Sequence, residues 1–398
     1  MGERKVIRRE GPMASVIVRV MVGSSHENEN EYGMAHFMEH MMFKGNKIRN
    51  ESEQADLVDM YGLDINAYTT KEITEYHISG IASKVELMMD ILSNMLRFPL
   101  LSEEAIEREK GVVLEEIVMN KDDNNRYFQR MTSSARYKGS AYEHHVLGTE
   151  ESVSSFTKEM CDTFHERCYD LSNMDVIVVG TCDNLEDLMY KYFPEPVEEK
   201  ILLSEYRTQN PGELNLFRDI EGEEIKLYVK GLPGTMKRES LSLGMVMAVL
   251  GYGMSSRLFK DLRVKQSLCY SVYAYHNEMR NWGDAVIGVS TTPEKAETTL
   301  SSIFDHLKEI SENGVSEEEL FKAVNMMKSY YASKFETAAG TSEIMMATYD
   351  TSGVFETFDS LCTLIDSITV EDLNKAAKYL GNKDTYMVCR MSRNYDIV

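Results

Sequence analysis

The chain has 398 residues, with 43 Lys and Arg against 65 Asp and Glu and a formal net charge of −22. That balance argues against nucleic-acid binding and is compatible with an acidic cavity that favours basic peptides. The length exceeds the size at which a single core usually keeps growing, so two domains are expected.

The opening ten residues, Met1 to Glu10, lack the apolar stretch of a secretory leader, and no run of 18 apolar residues occurs anywhere. No membrane partner is therefore expected, and the cytoplasm is the expected compartment. The six cysteines, at 161, 168, 182, 269, 362 and 389, show no Cys-x-x-Cys spacing and read as reduced and structural.

A β-branched strand over Ser15–Val22 precedes a Met-rich amphipathic helix that starts near Gly33 and contains His36-Phe-Met-Glu39-His40. Residues four apart lie about one turn apart on the same side, so the two imidazoles can reach one ion with a carboxylate beside them. A catalytic zinc takes three protein ligands and keeps a fourth position for water, and a neighbouring carboxylate suits a general base. The order His-x-x-Glu-His inverts the commoner His-Glu-x-x-His and is the inverzincin signature. Two histidines buried in helix packing would give the same spacing, so the reading needs a third ligand from another element.

Further along, Leu101–Ile117 reads as a helix, with Ser102 as N-cap and Glu103 and Glu104 complementing the dipole. Glu109 and Glu116 lie two turns apart on one of its faces; in so acidic a chain an isolated pair of this kind is more often a solvated face than a ligand set. His144 and His145 are adjacent and point to different sides if that segment is extended. After a closing strand at Val176–Val179, Pro194, Pro196 and Pro211 mark a linker over 194–220 between domains 1–193 and 221–398.

The second domain repeats the first. Val16, Val18, Gly23 and Gly33 precede Leu227, Val229, Gly234 and Gly244 by 211 residues, and Ser102-Glu-Glu precedes Ser316-Glu-Glu by 214. In that register His36, Glu39 and His40 correspond to Met247, Leu250 and Gly251, and Glu116 to Tyr330. Only the first copy can carry the ion.

Val22–Asn120 resembles the catalytic domain of the pitrilysin/insulysin inverzincin metallopeptidases, and most closely their short, mitochondrial-processing-peptidase-like members. The resemblance rests on Gly33–His40, on Phe43-Lys-Gly45, on Asn66–Tyr76 and on spacing. The family has a ligand Glu 76 positions after the second His and a supporting Glu seven residues earlier, and positions 116 and 109 both hold Glu. It implies that His36, His40 and Glu116 bind one Zn2+ per chain, that Glu39 is the base, and that Glu109 supports the site. It also implies that a peptide substrate adds as a strand beside Asn66 and Ala67. Gly251–Phe259 and Asp261–Ala274 are similar to the family as well, which implies that Arg263 and Tyr270 contact the substrate backbone and the developing oxyanion.

The expected fold is therefore α+β, with two duplicated domains, each an antiparallel sheet with helices on one face, and two chains closing as a clamshell. The expected function is zinc-dependent endopeptidase action on peptides or unfolded segments in an enclosed cavity. A homodimer would combine the zinc ligands of one subunit with Arg263 and Tyr270 of the other. The rival reading is a non-catalytic structural or partner-binding subunit of the same fold, against which the intact motif and both downstream Glu residues argue.

Overall fold

The computed structural model describes residues 2–196 and 209–393. The chain divides into two compact units, Met1–Thr208 with Glu336–Glu343, and Gln209–Phe335 with Ile344–Val398.

The first unit runs β1 (Arg4–Arg8), β2 (Met13–Val20), α1 (Met34–Met42), α2 (Glu51–Met60), β3 (Asp64–Thr69), β4 (Thr74–Ile81), α3 (Val85–Arg97) and α4 (Glu103–Asp122). It continues with α5 (Asn124–Arg136), α6 (Glu150–Ser155), α7 (Lys158–Cys168), β5 (Met174–Gly180) and α8 (Leu185–Tyr192). The second runs β6 (Gly212–Phe217), β7 (Glu223–Lys230), α9 (Lys237–Gly251), β8 (Cys269–Met279), β9 (Trp282–Thr291), α10 (Pro293–Asn313), α11 (Glu317–Phe335), α12 (Ala338–Ser352, of which the residues up to Glu343 belong to the first unit), α13 (Phe358–Asp366), α14 (Val370–Ala377) and β10 (Met387–Ser392).

Strand order is β1-β5-β2-β4-β3 in one sheet and β6-β10-β7-β9-β8 in the other. Advancing each strand of the first sheet by five gives the second, so the duplication seen in the sequence is a duplication of topology. Both sheets are antiparallel except at one edge, where β1 pairs with β5, and β6 with β10, in parallel. The cause is geometric. β1 and β2 form a hairpin opened to admit β5, and a strand antiparallel to β2 must then run parallel to β1.

In β2, Ala14, Val16, Val18 and Val20 join the core formed with α1, α3, α4 and α7, including Phe37, Met41, Leu92, Val113 and Phe164. The intervening residues Ser15, Ile17 and Arg19 are buried as well, which is why the sequence of this strand alternates poorly. Arg19 is directly opposite Glu75 in the β2–β4 register, and its Nε donates to Glu75 Oε2 at 3.0 Å. Removing one member of a buried pair leaves a charge without compensation. Glu75→Leu is expected to lower stability by about 3–5 kcal/mol, read as a lower denaturant midpoint at unchanged slope. An unchanged midpoint would show that the pair contributes nothing.

Gly212–Phe217 was expected inside the linker and is a strand, with Leu214 and Leu216 less exposed than their neighbours and the whole segment in register with β10. Pro211 and the mixed charge around it masked this alternation. Residues 197–208 of the expected linker lie outside the described residues. In α9, the positions matching the histidine motif, Met247, Leu250 and Gly251, are buried. A Cβ on Gly251 would lie 2.3 Å from the Ala274 nitrogen, so this part of the helix is committed to packing on β8.

Candidate metal centre

α1 starts from Gly33, whose φ of +94° is a left-handed conformation that suits glycine. A Cβ there would sit 2.7 Å from the Leu147 carbonyl oxygen. Gly33 offers no side-chain cap, and the first helical amides turn to Glu27 instead: Gly33 N donates to Oε2 at 2.9 Å and Ala35 N to Oε1 at 2.8 Å. The second helix, α4, begins where the Ser102 hydroxyl accepts from Ala105 N at 3.3 Å. α1 and α4 pack together, which brings the histidine pair against the Glu109–Glu116 face.

His36 Nε2 lies 3.5 Å, and His40 Nε2 3.7 Å, from the same oxygen, Glu116 Oε2. One donor atom from each of these three residues falls within 4.8 Å of the others, and among the described residues no other His, Cys, Asp and Glu group does this. Four-coordinate zinc with bonds of about 2.0–2.2 Å separates its ligands by roughly 3.3–3.5 Å. Two imidazole nitrogens and one carboxylate oxygen at these separations therefore fit the ion in both distance and donor chemistry.

Each remaining group has a distinct environment. Glu109 is buried, 2% exposed; its Oε1 lies 2.9 Å from His40 Nδ1 and its Oε2 2.8 Å from Lys44 Nζ. Burial alone would lower the His40 imidazole, but the Glu109 hydrogen bond and charge outweigh it and raise the pKa. Burial, assisted by His40 and His145, pushes His36 down to about 3, so its ring is neutral at physiological pH, the form that coordinates metal. The buried His36 Nδ1 has no hydrogen-bond partner among the described residues. Glu39 is raised by burial, against the lowering effect of Thr69, whose hydroxyl donates to Glu39 Oε2 at 2.5 Å.

His36, Glu39, His40 and Glu116 open into a cavity of about 590 Å³, walled by Ala67 and Thr69 of β3 and by Arg126 and Arg130 of α5. β3 is the last strand of its sheet. Asn66 is exposed on it, next to the half-buried Ala67. The charged lining comprises Glu39, Glu116 and Glu143 against Lys71, Arg126 and Arg130, a balance that differs from the acidic cavity expected from the net charge. The acidic surplus of the chain is spread elsewhere.

The adjacent histidines separate. His144 stacks on Tyr32 at 3.7 Å between centroids, while His145 lines the cavity. Arg263 and Tyr270 lie in the second unit, on a π-helical segment (Phe259–Lys265) and at the start of β8. The Arg263 guanidinium lies 5.5 Å from the Tyr270 ring, and Tyr270 is 81% exposed.

Sequence reasoning missed Glu27, Lys44, Thr69, Lys71, Arg126, Arg130 and the place of His145. Three of them had a signal, since Lys44 lies in the Phe43-Lys-Gly45 motif and Thr69 and Lys71 lie in Asn66–Tyr76. The others are brought to the site by loops and by α5, which no residue spacing announces.

Known proteins resemble this chain over most of its length. Residues 6–150 match the family described as Insulinase (Peptidase family M16), and residues 155–327 the Peptidase M16 inactive domain. The chain is 28% identical over 399 residues to an uncharacterized zinc protease of Bacillus subtilis, covering 96% of this chain and 94% of that one. It is 29% identical over 386 residues to an uncharacterized zinc protease of Mycobacterium leprae, covering 93% and 85%. Among solved structures, a protease from Helicobacter pylori superposes with a TM-score of 0.87 at 21% identity, over 97% of this chain and 96% of that one. A peptidase M16 inactive domain from Pseudomonas fluorescens gives 0.87 at 19% identity, over 99% and 96%. With two domain matches in tandem along most of its length and relatives aligned nearly end to end, the chain belongs to the insulinase family of peptidases (M16), whose metal is zinc.

Proposed function

We propose that the protein is a zinc-dependent endopeptidase in which His36, His40 and Glu116 hold the ion and Glu39 is the general base. The convergence of three donor atoms within 4.8 Å, in a cavity that also contains Glu39, carries this reading. Zinc, when bound, polarises a carbonyl and makes a water acidic enough to ionise near neutral pH. Glu39 accepts a proton from the attacking water as its oxygen adds to the peptide carbonyl carbon, and returns that proton to the amine as the C–N bond breaks. The Thr69 hydroxyl holds Glu39 Oε2 in place and leaves Oε1 for the proton. Glu109 fixes the His40 ring with Nε2 toward Glu116, where it would help to hold the ion. The unpaired edge of β3 at Asn66 and Ala67 accepts an extended peptide through main-chain hydrogen bonds.

In this reading Arg263 holds a substrate carbonyl and Tyr270 donates to the oxyanion. Their adjacency and exposure support it, as does the π-helical segment, a device frequent at functional sites. They serve the zinc centre of a second copy, so the working unit is a homodimer that encloses unfolded or short peptides. A first domain ending at 193 and a second that includes the strand at Gly212–Phe217 fit this division of labour. Its cysteines are free thiols, which supports a reducing compartment, the cytoplasm. Among the described residues no helix is long and apolar enough to cross a membrane.

Purified protein is expected to contain one zinc per chain and to cleave peptides in a digest that a chelator stops and added zinc restores. Absence of stoichiometric zinc and of chelator-sensitive cleavage would instead identify a structural or partner-binding subunit of the same fold.

A further inference from the structure

Along α5, Arg126, Gln129, Arg130 and Ser133 recur at spacings of three and four, and all four line the cavity that contains the candidate metal centre. The rotation of this helix is fixed by its N-cap and by its buried face. The Asp123 carboxylate accepts from the Arg126 amide at 2.8 Å, and Phe128, Thr132 and Arg136 are buried on the other side. The two cavity-facing arginines are thus presented by a rigid element.

Neither guanidinium forms an ion pair or hydrogen bond among the described residues, although Arg130 lies 5.6 Å from the Tyr127 ring. This stands out in a chain with 65 acidic against 43 basic residues. Elsewhere Arg167 is paired with Glu31 and Arg257 with Glu319. The other charges of the cavity are engaged. Lys71 donates to the His144 carbonyl, Glu143 accepts from Gly139 N at 2.7 Å, Glu39 accepts from Thr69, and Glu116 faces the two imidazoles. Arg126 and Arg130 are the charged groups left facing the cavity without a partner.

We propose that Arg126 and Arg130 form a carboxylate subsite, which selects substrates bearing an acidic group close to the bond that is cleaved. The proposal rests on the peptidase reading and names part of its substrate class. A guanidinium presents parallel N–H donors that match the two oxygens of a carboxylate, and a pair one turn apart can share one such group. A volume of about 590 Å³ is roughly 8 Å across, or about two to three residues of extended chain. The acidic group therefore lies within that distance of the carbonyl opposed by Glu39. Two sources supply the same chemistry, an Asp or Glu side chain within the substrate and the terminal carboxylate of a short peptide.

The test uses the zinc-loaded full-length protein and quenched peptides that differ only by Glu, Gln or Lys at each position near the cleaved bond. At one position Glu is expected to exceed Lys in kcat/KM on the order of tenfold. The double variant Arg126→Glu/Arg130→Glu is expected to reverse that preference while keeping its zinc content. Amidation of the peptide C-terminus separates the sources: a Glu-over-Lys preference that survives it belongs to a side chain, whereas a loss of rate on amidation, absent from the double variant, belongs to the terminal carboxylate. Equal rates for Glu, Gln and Lys at every position together with no loss of rate on amidation, or a preference that persists in the double variant, would overturn the subsite and leave the peptidase reading standing. Absence of any zinc-dependent cleavage by the wild type would overturn both.

Discussion

Glu39→Gln is expected to keep its zinc and to lose peptide turnover by roughly a hundred- to ten-thousand-fold. Glu39 is not one of the three residues whose donor atoms converge, so the metal has no reason to leave. A glutamine fills the same volume, and its carbonyl oxygen can accept the Thr69 hydroxyl as Glu39 Oε2 does at 2.5 Å. What disappears is the second, basic oxygen. Burial raises the Glu39 carboxyl above its usual range, which brings it closer to working pH and makes it a better match for taking up a proton and then releasing it. Zinc per chain by atomic absorption, together with the rate on a quenched peptide, checks both halves of the expectation. Full activity in the variant would remove Glu39 from the chemistry. Loss of zinc would show instead that it holds the ion.

The sequence made the metal motif and the duplication legible for the same reason: both are expressed as fixed spacings along the chain. Residues 36, 39 and 40 are one helical turn, and Glu109 and Glu116 are two turns of another, so helix geometry alone arranges each set. The offsets near 211 persist because insertions between equivalent elements are small, and the matching strand orders are their structural counterpart. The parallel edge pairs were not legible. β1 is five residues long and its partner β5 lies about 170 residues later, so no local pattern records the pairing. The same limit applies to the cavity wall. Arg126 and Arg130 carry an ordinary i, i+4 helical spacing, and only the packing of α5 turns that face toward the histidines. Net charge misled most directly. It is a property of the whole surface, whereas the charge of this cavity's lining depends on six side chains, three acidic and three basic.

Glu116→Gln is expected to release the metal, and Glu109→Gln only to loosen it. Glu116 is the single carboxylate facing both imidazoles, with Oε2 at 3.5 Å and 3.7 Å from the two Nε2 atoms. An amide oxygen at that place has no net charge to offset the dication. Because the Glu116 side chain is about a third exposed, the substitution leaves no buried group stranded and the fold should persist. Glu109 is different. It touches His40 through Nδ1, on the far side of the ring from the metal, and is itself held by Lys44. A group in that relation to a metal ligand typically changes affinity by about 10- to 100-fold. Competition against a chromogenic chelator should therefore rank the wild type above Glu109→Gln, and Glu109→Gln above Glu116→Gln, with Glu116→Gln weaker than wild type by more than about a hundredfold. If Glu116→Gln binds zinc as the wild type does while Glu109→Gln does not, the two roles must be exchanged. The ion would then lie on the Nδ1 side of His40, away from the cavity and from Glu39, and the proposed chemistry would have no base beside its metal.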